Sequence, residues 1–526
     1  MAACGVIDQQ SSSFGSIDLR RSVSSSVISW KEKALSPIAA KFMIFAVVLF
    51  AFTARVEAKS QTHNVASADE VEALIEAGSV AAGDTIVWAD GILKDVELNI
   101  EGADGTEKAP VTLRAATPGG VVLKGESQFK VGSQWWVIEG FHFDGGENEI
   151  NNYCTFQFRS NGGTPAQHTC LTNCAFTNLK TDDETSKWVL VYGHANGINR
   201  CHFSGKNSKG ALITVELAYL PEGGTAEHAI SNNYFADFSP QEGTDNETIR
   251  IGSSKDQNKR AHVAVRGNYF VRCNGENEII SSKSSYNVFE RNTFRQCDGA
   301  LVLRHGHHAT VAGNFFFGDG AKNSGGIRVV DSHHVIKNNY LQDLKGTSWN
   351  AAFSILGGKK TSGGTDNGYQ AVDGITVAHN SILNCSQSVL LNKAKGSRAP
   401  TGLIANNLFS SSTGPLVTGD LAANQLDWKG NVMHGAAIGA DVAALEADPK
   451  LEERDGLLRP GLSGAAIDAA VQCELQVATD IDGQTRPDDG ADVGADEVSG
   501  AIGDISSIPL DPSKVGVSFL RGDGPT

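Results

Sequence analysis

Asn268-Tyr-Phe270, Asn292-Thr-Phe294, Asn314-Phe-Phe316 and Asn339-Tyr-Leu341 repeat one short signature at spacings of 24, 22 and 25 residues. Variants of it stand at Phe141-His-Phe143, Cys174-Ala-Phe176, Cys201-His-Phe203, Asn233-Tyr-Phe235, Asn380-Ser-Ile382 and Asn407-Leu-Phe409. A period in the twenties, with several short strand-like runs per repeat and no helical period, predicts a solenoid of strands. A leucine-rich horseshoe has a similar period, but its LxxLxLxxN pattern is missing. The fold class is therefore all-β, a parallel β-helix in which longer spacings are the same coil with a loop inserted. One coil cannot bury its apolar face alone, so coils stack and share a core. The signature phenylalanines are expected to stack on one another. The asparagines are expected at left-handed turns, each amide bonding its neighbour in the next coil.

Outward from these repeats, Thr85–Trp88, Val111–Arg114, Val121–Lys124 and Trp135–Ile138 also read as strands. Ser67-Ala-Asp-Glu70 is a capping-box pattern followed by Val71, Leu74 and Ile75, which predicts a short helix capping the open end of the solenoid. The 526 residues include 58 glycines, 14 prolines and 3 methionines, a composition that suits short strands and tight turns. Residues 1–58 read as a leader whose apolar run, 42–54, is shorter than a spanning helix needs. A secretory signal and an anchor are the two readings, with secretion preferred. Residues 59–498 form the β-helix body, and 499–526 read as a flexible tail. Of nine cysteines eight lie in the body, and both disulfides and buried thiols fit. Cys273 and Cys297 occupy equivalent places in adjacent coils, where a buried thiol stack is preferred.

The net charge of −16 excludes nucleic-acid binding through a global field. A polyanion could be held only by a local basic cluster. Alternation along strands places Arg250, Arg304 and Arg328 on one outer face. Glu276 and Glu278, two apart, share a face in the coil between Arg250 and Arg304, and Lys283 follows them. Two close carboxylates repel and need a cation or a proton. With the amide of Asn246 they make an oxygen site suited to Ca²⁺. His307 and His308 are adjacent and would diverge, which argues against zinc. His305 reads as a hydrogen-bonding group for a substrate.

Glu247-Thr-Ile-Arg-Ile-Gly252, Asn274-Gly-Glu-Asn-Glu-Ile-Ile-Ser-Ser-Lys283, Arg304-His-Gly306, Gly313-Asn-Phe-Phe316 and Gly325-Gly-Ile-Arg328 carry a resemblance to polysaccharide lyase family six, the alginate lyases and chondroitinase-B-like enzymes. It covers roughly residues 64–498. The resemblance implies a right-handed parallel β-helix and β-elimination on a uronic-acid polymer, alginate before chondroitin or dermatan sulfate. It implies Lys283 as base and Arg304 as acid. It also implies Arg250, His305 and Arg328 on the acidic sugar, and Ca²⁺ on Glu276, Glu278 and Asn246. Ca²⁺ and Arg304 would favour the neutral amine at Lys283 by like-charge repulsion. One departure is visible: family members often carry extra residues between that asparagine and the Glu-Thr-Ile-Arg run, whereas Asn246 abuts Glu247. Asn246-Glu-Thr248 is also a glycosylation sequon, expected to be unmodified. A uronate C5-epimerase and a non-catalytic glycan-binding protein are the alternatives, separated by product analysis.

Overall fold

The computed structural model describes residues 59–145, 154–179, 186–359, 367–498 and 509–521. The leader with its apolar run lies outside the described residues. Three parallel sheets of 14, 12 and 14 strands run along the described chain, successive coils adding one strand to each. Sheet 1 begins at Thr62–Val65, sheet 2 at Glu97–Ile100 and sheet 3 at Gly91–Lys94. The protein is a parallel β-helix. Among the described residues no helix is long and apolar enough to cross a membrane.

The signature explains the stack. Phe143, Phe176, Phe203, Phe235, Phe270, Phe294 and Phe316 form one column inside the solenoid, neighbouring rings 4.6–5.1 Å apart with planes within 18°. That separation is the rung spacing of a sheet, so the backbone ladder sets the ring stack. Each ring pair adds about 0.5–1.5 kcal/mol beyond the area it buries.

The asparagines form a second column. Asn292 Oδ1 accepts from the backbone N–H and the side-chain amide of Asn268, both at 3.0 Å, while Asn292 Nδ2 donates to Val265 O and Asn314 Oδ1 at 2.9 Å. The same pattern continues through Asn339, Asn380, Asn407 and Asn431. One detail differs from expectation. The left-handed residue is the one before the ladder asparagine: Asn232, Gly267, Arg291, Gly313 and Asn338 have φ of 56°, 62°, 53°, 64° and 52°. That residue takes the bend, which leaves the next amide free to turn into the stack.

Cys154, Cys174, Cys201, Cys273, Cys297, Cys385 and Cys473 are free thiols, so Cys273 and Cys297 stack without a disulfide between them. Ser67 caps the helix Ala68–Glu76, its hydroxyl accepting from Glu70 N, and Val71 is fully buried beneath it.

The last solenoid strands among the described residues are Val432–Gly435 and Leu445–Glu446. Residues beyond them double back over the outer face of sheet 3. There Leu457, Ala466, Ile481, Val493 and Ala495 cover Phe315, Phe317, Tyr340, Leu383, Leu408 and Val432. Part of the segment read as a flexible tail is also packed. Val515 joins Ala236, Tyr269 and Val271, Val517 is fully buried, and Phe519 lies against His142. Residues 509–521 thus cross sheet 3 as a strap, while 499–508 and 522–526 lie outside the described residues.

Candidate active site

The outer face of sheet 2 carries the residues singled out in the sequence. Thr214, Arg250, Ser281, Val302, Arg328 and Ser354 are register partners in successive coils, a column perpendicular to the strands. Arg250 and Arg328 therefore share a column, separated by Ser281 and Val302.

Two compensating irregularities shape the centre of this face. Strands Glu278–Lys283 and Ala300–His305 pair Glu278 with Ala300 but Ile280 with Leu301, then Ser282 with Leu303 but Lys283 with His305. Ile279 is the extra residue on one strand and Arg304 on the other. A bulge re-aims side chains at the point where it occurs. Here Ile279 and Ile280 both enter the core, while Arg304 and His305 both contact the segment lying over the outer face. Strict alternation would have turned one of those two away. Gly306 follows with φ of 85°, and a side chain there would meet the Ser284 backbone at 2.4 Å, so the Arg-His-Gly run needs its glycine.

Three carboxylates gather beside Lys283. Glu276 Oε1 accepts from Asn246 N at 2.8 Å. Glu278 accepts from Ser281 Oγ at 2.6 Å and pairs with Arg328 Nη1 at 3.2 Å. Glu247, 1% exposed, pairs with Lys283 Nζ at 3.1 Å through Oε1, while its buried Oε2 has no hydrogen-bond partner. Burial, and then the Glu247 charge, push the Glu276 carboxyl up to about 8. Burial likewise raises Glu247. Burial is the main cause of both shifts, and the neighbouring carboxylate charge adds to the rise at Glu276.

Glu247 was not assigned a role from the sequence. Its signal is parity: it alternates with Ile249 and Ile251, both fully buried, so a carboxylate at that place has to be paired. Asn246 lies next to it, 1% exposed, with its Oδ1 accepting from Gly210 N at 2.9 Å. Its amide oxygen is thus already engaged by backbone. Its Nδ2 faces Glu242 O at 3.5 Å, a buried position with no room for a glycan.

The basic residues are more enclosed than an outer face suggests. Arg304 is 8% exposed and Arg328 4%. Tyr369 lies under the Arg304 guanidinium at 4.1 Å, and Asn367 Oδ1 accepts from Arg304 Nη2 at 3.0 Å. Arg328 donates to Trp349 O at 2.9 Å and Asn350 Oδ1 at 3.1 Å. Arg250 pairs with Asp245 at 3.1 Å and with Glu216 at 3.7 Å. The half-buried rings of Trp349 and Tyr369 stand 6.2 Å apart with Lys395 Nζ 5.3 Å from each, an aromatic and cationic wall beside Arg304. Trp349 and Tyr369 lie in the Gly-, Ser- and Thr-rich insertion 346–374, a groove-closing loop by its length, but without a strand period the sequence did not mark them individually, nor Lys395 beyond it.

A lysine amine, an arginine fork and clustered carboxylates are groups that can bind an acidic sugar and move a proton on it. The sequence model of the chondroitinase B family matches residues 65–439. The chain belongs to the chondroitinase B family. Among solved structures, the alginate lyase AlyGC of polysaccharide lyase family six superposes with a TM-score of 0.70 at 31% identity, over 76% of this chain and 55% of that one. A mannuronic acid specific family six lyase from the human gut microbiota gives 0.63 at 27% identity, over 71% of this chain and 86% of that one. Pedsa3628, a family six polysaccharide lyase of Pseudopedobacter saltans, shares the fold at 22% identity and a TM-score of 0.63, over 86% of this chain and 99% of that one. The chain spans a little over half the length of AlyGC. No curated protein matches the sequence. For this member of the chondroitinase B family the solenoid is the family's own, and the bulged pair of strands sits within the matched region.

Proposed function

We propose that the protein is a polysaccharide lyase that cleaves a uronic-acid polymer, alginate preferred, by β-elimination. The observation that carries this reading is the pairing of Lys283 with His305 across the bulge that projects Arg304, beside three carboxylates. The AlyGC likeness, at 31% identity, supports alginate over sulfated glycans. The leader supports secretion, so the polymer is met outside the cell.

The proton at C5 of a uronate is weakly acidic, and its removal leaves an enolate carrying extra negative charge. To take that proton Lys283 has to leave its ion pair with Glu247 and be neutral. Arg304, poised on the Tyr369 face, then stabilises the O4 leaving group or delivers a proton to it. Arg250 and Arg328 hold the polymer's acidic groups. The wall of Trp349, Tyr369 and Lys395 gives a sugar ring a face to lie on.

Oxygen donors are the chemistry a hard divalent cation takes, and Glu276, Glu278 and Glu247, with its orphaned Oε2, would be the carboxylates to hold one after drawing together. Asn246 would have to release Gly210 N to join them. When bound, calcium supplies positive charge that stabilises the developing enolate. Incubating the protein with alginate and with dermatan sulfate, with and without EDTA, tests the proposal. The expected result is an unsaturated, ultraviolet-absorbing product from alginate that EDTA suppresses. Reprotonated C5 without chain cleavage would identify an epimerase, and binding without product would identify a glycan-binding protein.

A further inference from the structure

Both nitrogens of the His305 ring face amide oxygens on the segment over the groove. Nδ1 lies 3.0 Å from Gln370 Oε1, and Nε2 lies 3.2 Å from Asn367 Oδ1. Burial, and then the Arg304 charge, push the ring down to about 4, so at neutral pH it carries one proton. Which nitrogen holds that proton decides what His305 can bind.

A hydrogen-bond chain running away from the site answers this. Gln370 Nε2 donates to Gln257 Oε1 at 2.7 Å, and Gln257 Nε2 donates to the main-chain carbonyl of Ser254 at 2.6 Å. A backbone carbonyl cannot become a donor. Turning over the Gln257 amide would set two acceptors 2.6 Å apart, and turning over Gln370 alone would set two oxygens 2.7 Å apart. Both amides are therefore fixed in one orientation, and Gln370 presents an acceptor to Nδ1. Gln257, Gln370 and His305 are 0%, 0% and 1% exposed, so bulk solvent does not scramble the chain. Arg304 Nη1 is 3.4 Å from Nδ1, a longer contact than the 3.0 Å bond to Gln370, and it has Gly368 O as its own acceptor at 3.3 Å.

We infer that Gln257 and Gln370 are positioning residues that hold His305 as the Nδ1–H tautomer, so that its Nε2 accepts a hydrogen bond from a sugar hydroxyl and does not bind the sugar carboxylate. The choice of a sugar as ligand rests on the lyase reading above. In this tautomer the Nε2 lone pair faces Asn367 Oδ1, acceptor against acceptor. Asn367 is exposed, and its oxygen also accepts from Arg304. An incoming hydroxyl that donates to Nε2 replaces this unfavourable contact. The acidic group is then left to the arginines, which carry donors only.

The test uses ¹⁵N-histidine-labelled full-length protein, with the His305 signals assigned by their loss in His305→Gln. At pH 7.5 the expected spectrum has a protonated Nδ1 and an unprotonated Nε2. Gln370→Met and the more remote Gln257→Met should each shift the ring towards the other tautomer. On alginate oligomers both variants should raise KM about tenfold, the worth of one hydrogen bond to the substrate, with a smaller change in kcat. Oligomers whose hydroxyls are acetylated should be discriminated against by the wild type and less so by the variants. An Nε2–H or doubly protonated ring in the wild type would overturn the proposal, as would an unchanged tautomer in both folded variants. The spectrum does not depend on turnover. A protein inactive on alginate but holding the Nδ1–H ring would sink the lyase reading and support the relay.

Discussion

Lys283 stands 3.1 Å from Glu247, and replacing it with alanine removes the amine proposed to take the C5 proton. Lys283→Ala should reduce formation of the unsaturated product by about 10²–10⁴-fold, the usual worth of a positioned base, while circular dichroism stays unchanged. Arg304→Lys keeps the charge but loses the fork that reaches Asn367 while lying over Tyr369. Losing a charge-assisted bond of about 1.5–3 kcal/mol predicts a roughly ten- to hundredfold fall in kcat/KM in steady-state assays. Glu276→Gln removes one carboxylate of the cluster, so the calcium concentration for half-maximal activity should rise by about tenfold or more in EDTA-buffered titrations. The glutamate pair was singled out by its two-residue spacing, Arg304 by its place in the Leu-Val-Leu-Arg alternation, and Lys283 by following the glutamates in the same coil. Glu247 was not, since its role depends on a residue 36 positions away. His305 was legible as a polar neighbour of Arg304, but its placement beside Arg304 depends on a bulge that no local pattern announces.

Within a coil, the strand and its turn are held by the ladder asparagine. Asn292→Ala would strand the buried Asn268 N–H and take one acceptor from the Asn268 side-chain amide, which keeps Ile230 O and Arg266 O. At about 1–3 kcal/mol for an unsatisfied buried group, a loss of that size is expected by chemical denaturation. Asn292→Ser should recover part of this, and a variant as stable as the wild type would contradict the ladder's role. The repeat disclosed the ladder and the phenylalanine column because both recur with the coil. The insertion carrying Trp349, Asn367, Tyr369 and Gln370 could not be read the same way. Its positions are set by contacts to sheet 2, not by a repeat.

Across the whole molecule, burial makes stability depend on pH. His228, His334 and His379 are 1%, 1% and 5% exposed, and burial pushes all three rings down to about 3. Nδ1 of His228 and of His334 accepts a backbone N–H, a bond that protonation would destroy. In the unfolded chain these rings take protons near pH 6.5, in the folded chain only near 3, so the unfolded state binds more protons between those values. Their contribution is complete above about pH 6.5 and is lost as pH falls towards 3, by up to about 1.4 kcal/mol per pH unit for each ring. Asp496, raised to about 6 by burial, and Glu276, raised to about 8, work the other way in that window. The three histidines, joined by His202 and His305 at about 4, outnumber them, so the thermal midpoint should fall from pH 7 to pH 4.5, and a midpoint that rises would contradict this sign.

Ending the chain at Val498 would remove the strap, exposing Val271 and Tyr269 and losing the burial of Val515 and Val517. Two buried valines at about 1.5–3 kcal/mol each predict a loss of about 3 kcal/mol or more, measured by denaturant titration. The sequence showed the solenoid as a whole. The strap and the fold-back over sheet 3 escaped it because non-repeating segments take their shape from the surface they cover.

The most direct measurement is absorbance of the unsaturated product during incubation of the wild-type protein with alginate, run beside Lys283→Ala and beside an EDTA-treated sample. The account predicts a steady rise for the wild type, a flat trace for Lys283→Ala, and a trace suppressed by EDTA and restored by calcium. A Lys283→Ala protein that releases the product as fast as the wild type would contradict it.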